Sequence, residues 1–261
     1  MHLADGILRA TPLVVGLDVL GAAALGIALE RSLCDRARYA AWTGTLAAFV
    51  LAAQALNLPL LPGASAHVVG AALLTLALGP ARAIVALSAV LVVQALLLAD
   101  GGVTVLGINL LNLAVLPALA TELARRLCGE SARGRVVAAV AGTLLGNVAG
   151  ACSLAATLVA GAGAPAKLTF GWLVGVQAVA GLAEGILTAL VVKHLLGRAP
   201  ALLGAPAMQM PRALDDEPLP RARTRWRALA IAIVAAIALV PLASATPDAL
   251  ELVLGRIGAA P

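Results

Sequence analysis

The chain of 261 residues is strongly apolar: 62% of its residues are hydrophobic, 12% are charged, and its mean hydropathy is +1.01. Because soluble domains carry about 25% charged residues, this composition excludes an ordinary soluble protein. The 18 Lys and Arg residues outnumber the 13 Asp and Glu residues, but they lie between apolar segments. They therefore indicate membrane topology rather than a nucleic-acid partner.

Eight apolar segments are predicted to form helices. A hydrocarbon core of about 30 Å requires roughly 20 apolar residues in helical conformation, and most of the segments reach or approach that length. The third is short and follows Pro59, Pro62 and Gly63, which predicts irregular backbone that is buried in protein or lines a cavity. The eight predicted helices are 12–30, 39–58, 67–79, 83–99, 106–124, 136–161, 169–193 and 228–243.

The expected architecture is an all-α polytopic membrane protein with a seven-helix core, residues 1–197, and one C-terminal transmembrane helix. Residues 198–227 are polar and rich in Pro and Arg, which predicts a cytoplasmic linker. Residues 228–261 then form the last helix and a short extracytoplasmic tail, 244–261. Most Lys and Arg residues fall in cytoplasmic segments only if the amino terminus is extracytoplasmic.

The first two residues, Met1 and His2, can chelate a metal. The free amine of Met1, the amide nitrogen of His2 and an imidazole nitrogen of His2 close adjacent rings and leave a fourth position open. Four nitrogens in a plane suit Ni(II), Cu(II) or tetragonal Co(II) better than Zn(II) or Mg(II). His67 lies in the predicted irregular segment on the same face and is the candidate fourth ligand, whereas His194 falls on the opposite face.

The motifs around these histidines resemble those of the CbiM/NikM family, the substrate-binding subunits of energy-coupling-factor transporters for cobalt and nickel. The chain begins Met-His-Leu-Ala-Asp-Gly, and Gln54, Asn57 and Pro59 precede a small-residue loop that ends in His67. Further likenesses are the stretches GINLLNLAV and GLAEGILT, and PDALE resembles a PDGLE motif appended to some members. The chain departs from the family in the loop sequence PGASAH, at Ala4 and within PDALE.

The resemblance implies that Met1, His2 and His67 bind Co(II) or Ni(II) and that the chain has no cofactor. It also implies a location in a prokaryotic cell membrane, with the metal site on the extracytoplasmic side. The implied partners are a transmembrane coupling subunit, ATP-binding cassette ATPases and a small accessory membrane subunit. The small residues Ala24 and Ala28 resemble the patch by which such subunits contact their membrane partner.

Six polar residues are candidates to support the metal ligands. Asp5 either caps a helix or tunes the charge of the site. The three asparagines either orient ligands or bond neighbouring helices. Glu184 lies between Gly181 and Gly185, which favours polar helix packing. The six candidates are Asp5, Asn57, Ser65, Asn109, Asn112 and Glu184.

No phosphate-binding G-x-x-x-x-G-K-[ST] sequence occurs in the chain, so ATP hydrolysis is expected in partner chains. The leading hypothesis is the substrate-capturing subunit of an ATP-driven metal importer. The alternative is an ion-coupled secondary transporter for a small organic solute, which would require charged residues along a pathway. A membrane enzyme is disfavoured because His and Cys are too few for a catalytic site.

Overall fold

The computed structural model describes residues 2–9, 11–32, 36–55, 57–61, 64–203 and 248–256. It contains eight helices and a two-stranded hairpin in this part of the chain. The elements are α1 Pro12–Ser32, α2 Arg36–Gln54, β1 Asn57–Leu61, β2 Ala64–His67, α3 Ala71–Leu78, α4 Pro80–Leu97, α5 Leu106–Cys128, α6 Ala132–Ala162, α7 Ala166–Arg198 and α8 Ala249–Arg256.

The prediction of a helical membrane protein is confirmed: α1, α4, α5, α6 and α7 are each long and apolar enough to cross a bilayer. The predicted boundaries around the third segment are wrong. The helix expected over 39–58 ends at Gln54, and the helix expected over 67–79 begins at Ala71. Between them, β1 and β2 pair antiparallel, with Asn57 opposite His67.

The carboxyl-terminal part contains one short helix that was not predicted. The predicted linker is described only as far as Leu203, and the predicted helix 228–243 lies outside the described residues. Residues expected to form a tail contain α8, which packs against α7 and β2. Hydrophobicity alone gave no signal for α8, because its eight residues are too few for a span.

The short helix α3 lies at the centre of the bundle, and all eight of its residues are buried. It packs against α2, α4, α5, α6 and α7. Its backbone enters from Gly70, which has a φ of 79°. A Cβ at that position would come within 2.7 Å of the Val50 side chain, so both conformation and space require glycine.

The crossing of α5 with α6 depends on small residues spaced four apart. A Cβ on Gly142, Gly146 or Gly150 would come within 3 Å of Thr121, Pro117 or the Asn112 carbonyl, so these glycines permit close helix contact. The facing part of α5 widens into a π-helical turn over Leu111–Val115. Pro117 follows this turn and lacks the N–H of a regular helix, which accounts for the local widening.

The inner faces of the helices form one continuous apolar core. On the outer face of α1, large apolar side chains such as Val19, Leu20 and Ile27 are exposed, as expected for contact with lipid tails. Glu122 is buried at the other end of α5, where its carboxylate accepts hydrogen bonds from Arg125 and Arg126 at 2.8 and 2.7 Å.

Candidate metal site

The imidazoles of His2 and His67 lie together at one end of the bundle. Their ring centroids are 5.0 Å apart and their planes differ by 6°. His2 comes from the amino-terminal segment and His67 from the last position of β2, so two elements 65 residues apart supply the pair. Both rings line a cavity of about 350 Å³, and only 3% of the His2 side chain is exposed.

The amino-terminal segment is fixed by the loop between α4 and α5 and by the start of α5. The backbone N–H of Leu3 donates to Asn109 Oδ1 at 2.9 Å, and Asn109 Nδ2 donates to the Leu3 carbonyl at 3.0 Å. That carbonyl also accepts from the Gly102 N–H at 2.7 Å. Leu3 is fully buried, so the residue that follows His2 is held by three hydrogen bonds.

Asp5 makes a second attachment to the same loop. Its carboxylate accepts from the backbone N–H groups of Val103 and Thr104 at 3.1 and 2.8 Å and from the Thr104 hydroxyl at 2.5 Å. These hydrogen bonds, foremost that of the Thr104 hydroxyl, lower the pKa of Asp5. Asp5 therefore joins two distant segments rather than capping a helix of its own.

Two glycines let the amino-terminal segment approach this loop closely. Gly101 has a φ of 101°, and a Cβ there would lie 3.3 Å from the Cβ of His2. A Cβ on Gly102 would come within 2.8 Å of the Ala4 carbonyl carbon and closer still to Asp5. Side chains at these positions would push His2 and its neighbours outward.

The backbone that follows His67 is hydrogen-bonded to side chains of α7 and α2. Glu184 of α7 accepts from the N–H groups of Val69 and Gly70 at 3.0 and 2.7 Å, and Gln54 Nε2 donates to the Val69 carbonyl at 2.8 Å. Asn147 Nδ2 lies 3.3 Å from the same Glu184 carboxylate. A carboxylate at the amino end of α3 satisfies unpaired N–H groups and is favoured by the helix dipole.

The charge next to the histidine pair comes from Asp100. Its Oδ1 lies 3.0 Å from His2 Nδ1. Burial opposes its ionisation, but the hydrogen bond from His2 and the charge of the site lower the pKa of Asp100 to about 2. Burial of the His67 ring lowers its pKa to about 3, so this imidazole is neutral and able to bind a metal at neutral pH.

The other residues predicted for the site occupy different positions. Ser65 is buried, and its backbone bridges to Asp248. Asn112 is buried in the π-helical turn, away from the cavity, and its amide has no hydrogen-bond partner among the described residues. Met1 lies outside the described residues.

The two alanines of the predicted partner patch on α1 differ in burial. Ala28 is 3% exposed within the core, and Ala24 packs against the same core. Ala24 keeps part of its surface exposed, and a contact of this pair with a membrane partner stays a prediction.

Sequence reasoning missed Asp100 and Asp248, which both line the cavity. The Asp-Gly-Gly sequence between two predicted helices was the available signal for Asp100, because it combines a carboxylate with turn-forming glycines in a connection.

Within the described residues, no group of three or more His, Cys, Asp or Glu side chains is arranged to hold a metal. The side chains described here therefore supply two imidazoles and neighbouring carboxylates, but not a complete ligand set.

Helices that can cross a bilayer, together with two imidazoles gathered at one end, define a multi-pass membrane protein with a candidate transition-metal site. The sequence profile of the CbiM family, described as "Cobalt uptake substrate-specific transmembrane region", matches residues 2–202. The chain thus belongs to the CbiM/NikM family of cobalt and nickel transport proteins, and it is a transport component rather than an enzyme.

Individual relatives agree with this membership. The chain is 30% identical over 190 residues to the cobalt transport protein CbiM of Kyrpidia tusciae, covering 70% of this chain and 76% of that protein. It is 34% identical over 178 residues to the fused nickel transport protein NikMN of Rhodobacter capsulatus, covering 60% of this chain and 51% of the relative. The match to a Haloquadratum walsbyi relative, 41% identical over 121 residues, covers 46% of this chain and 55% of that protein.

A crystal structure of a truncated transition metal transporter has a similar fold. The TM-score is 0.62 at 28% sequence identity, and the alignment covers 76% of this chain and 99% of the other.

Proposed function

We propose that this chain captures Ni(II) or Co(II) through His2 and His67 for an ATP-driven importer. The observation that carries the proposal is the distance of 5.0 Å between the two ring centroids. With metal–nitrogen bonds of about 2.0 Å, two imidazoles bound side by side to one metal have centroids roughly 4.4 Å apart. Because the ring planes are nearly parallel, at least one ring would also rotate so that a nitrogen lone pair of each imidazole points at the same ion.

The remaining ligands in this proposal are the amine of Met1 and the backbone nitrogen of His2. Only Nδ1 of His2 can close a six-membered chelate ring with that backbone nitrogen. In the structure Nδ1 faces Asp100, so the metal would displace this hydrogen bond. The carboxylate of Asp100 would then stay near the cation and offset part of its charge.

We also propose that the cavity opens to the extracytoplasmic side and that a coupling subunit with ATPase partners drives release inside. The excess of basic residues in segments at the opposite end supports this orientation. Fused NikMN relatives suggest an additional accessory subunit. Membership in a family of uptake components favours this function over an ion-coupled secondary transporter of organic solutes.

The test is isothermal calorimetry with Ni(II) and Co(II) on the purified full chain. Wild-type protein should bind one ion, and His2→Ala and His67→Ala should each lose at least about 100-fold in affinity, the equivalent of roughly 3 kcal/mol. His194→Ala is the matched control, because His194 is exposed near the far end of α7. Undiminished affinity in both site variants would overturn the proposal.

A further inference from the structure

The segment Asp248–Arg256 forms one wall of the cavity that contains His2 and His67. Four of the residues around the cavity belong to this segment: Asp248, Leu250, Glu251 and Leu254. The segment lies beyond the 2–202 region that matches the CbiM family. The match over residues 2–202 therefore does not account for its position.

The apolar side of α8 is part of the protein core. Val253 is completely buried and belongs to the same apolar cluster as Leu3 and Leu173. On the same helix, Gly255 and Arg256 are exposed. This division into a buried and an exposed face indicates specific docking of α8 onto the site.

Polar contacts stabilise the start of the segment internally and attach its other end to α7. At the start, Asp248 Oδ1 accepts from the N–H groups of Leu250 and Glu251 at 2.8 and 2.9 Å, and Glu251 Oε2 accepts from the Asp248 N–H at 2.8 Å. This reciprocal arrangement is a capping box. At the other end, the Arg256 guanidinium lies 4.6 Å from the Trp172 ring centroid, within the range of a cation–π contact.

The backbone of the segment also touches the hairpin that carries His67, through a parallel bridge between Ser65 and Asp248. An eight-residue helix is too short to be stable alone in water. The helical form of α8 therefore depends on docking, and undocking would release the whole wall. With the wall in place, the His2 side chain is only 3% exposed, so a hydrated cation has little access to it.

We propose that residues 248–256 are a built-in cover of the metal cavity that sets the rates at which metal enters and leaves. The inference rests on the proposed function, since it presupposes metal at His2 and His67. A cover of this kind slows association and dissociation together and leaves the equilibrium affinity nearly unchanged. It differs in this respect from a ligand, whose loss raises the dissociation constant.

The first test compares Val253→Asp with Gly255→Asp in the full chain. Both add one carboxylate to α8, but only position 253 is buried, whereas a Cβ on Gly255 meets nothing within 4 Å. Stopped-flow absorption should show Ni(II) uptake, and release to a chelator, each about tenfold faster in Val253→Asp, with little change in Kd. Gly255→Asp should match wild type. Equal rates in the two variants, or abolished binding in Val253→Asp alone, would overturn the cover.

The second test holds the cover in place. Trp172→Cys and Arg256→Cys are combined in a chain whose native cysteines are replaced, and a short reducible cross-linker joins the two positions. Ni(II) uptake should slow about tenfold or more and recover on reduction; unchanged uptake would contradict the cover.

If wild-type protein binds no metal, or binding survives loss of both histidines, the proposed function itself fails. If histidine-dependent binding stands while the rates do not respond, only the cover fails.

Discussion

Asn109 binds both backbone groups of Leu3, with hydrogen bonds of 2.9 Å to its N–H and 3.0 Å from its own amide to the carbonyl. The two residues are 106 positions apart in the chain. Because Leu3 directly follows His2, this pair determines where the amino-terminal segment lies relative to His67. Asn109 therefore acts on the proposed site by positioning the backbone.

Asn109→Ala should weaken Ni(II) binding by about 10- to 100-fold, because it leaves the buried Leu3 N–H without a partner, at a cost of about 1–3 kcal/mol, while the Leu3 carbonyl keeps its hydrogen bond from Gly102. Calorimetry on the purified chain measures the loss. Asn112→Ala is the matched control, since both asparagines are 2% exposed in the same helix and the side-chain amide of Asn112 has no hydrogen-bond partner among the described residues. An equal effect of the two substitutions would show that general helix damage, rather than the Leu3 contact, is responsible.

The contrast between these two asparagines shows what the sequence could and could not predict. Both occur in GINLLNLAV, and both alternatives, ligand orientation and helix bonding, were open for each. The contact with Leu3 depends on the amino-terminal segment returning across α5, which no local pattern reports. Asp100 was not predicted as a site residue for the same reason: its partner His2 is distant in the chain.

Glu184→Gln should loosen the hairpin that carries His67. A glutamine amide can accept only one of the two backbone hydrogen bonds, and its NH₂ group would face the other N–H. Loss of a charged hydrogen bond at a helix start predicts a destabilisation of about 2–3 kcal/mol. Thermal unfolding in detergent should show a lower Tm, and calorimetry should show weaker Ni(II) binding.

The control for Glu184 is Gln177→Ala, a change of another buried polar side chain two turns earlier in α7. Gln177 makes none of the hydrogen bonds to Val69 and Gly70, so its loss should leave Ni(II) affinity near that of wild type. Wild-type affinity in Glu184→Gln would mean that His67 does not depend on this anchor.

Gly102→Ala should displace the amino-terminal segment. The added methyl group would lie within 2.8 Å of the Ala4 backbone, and a contact this short cannot be relieved by turning a side chain. We expect Ni(II) affinity to fall at least about tenfold, since overpacking of this kind costs about 1–3 kcal/mol. Gly175→Ala adds the same methyl group where nothing lies within 4 Å and should leave affinity unchanged. If both variants bind alike, the close approach at Gly102 is not required.

The parts of the fold that sequence analysis predicted well are the long apolar helices, because hydrophobic length is a direct signal of a span. Most of the hairpin was predicted only as irregular backbone between two helices, since an apolar stretch with scattered prolines does not show which backbone groups will pair. The orientation of α1 was also hidden. When a helix is apolar on all sides, periodicity does not reveal its inner face, and the inward position of Ala28 followed only from packing.

The last prediction concerns the stability of the metal-free protein between pH 7 and pH 5. The pKa of His67 is lowered to about 3 in the fold from an ordinary value of 6.5, so below pH 6.5 the unfolded chain binds a proton that the folded chain does not. Stability should therefore be complete above pH 6.5 and fall on acidification, by at most about 2 kcal/mol at pH 5. Asp100, with its pKa lowered to about 2, stays ionised in both states over most of this range and adds little to the change of stability with pH.

Thermal unfolding should show a Tm that drops with pH in wild type and in His194→Gln, and a smaller drop in His67→Gln. The same dependence of Tm on pH in His67→Gln and wild type would show that folding does not lower the pKa of His67.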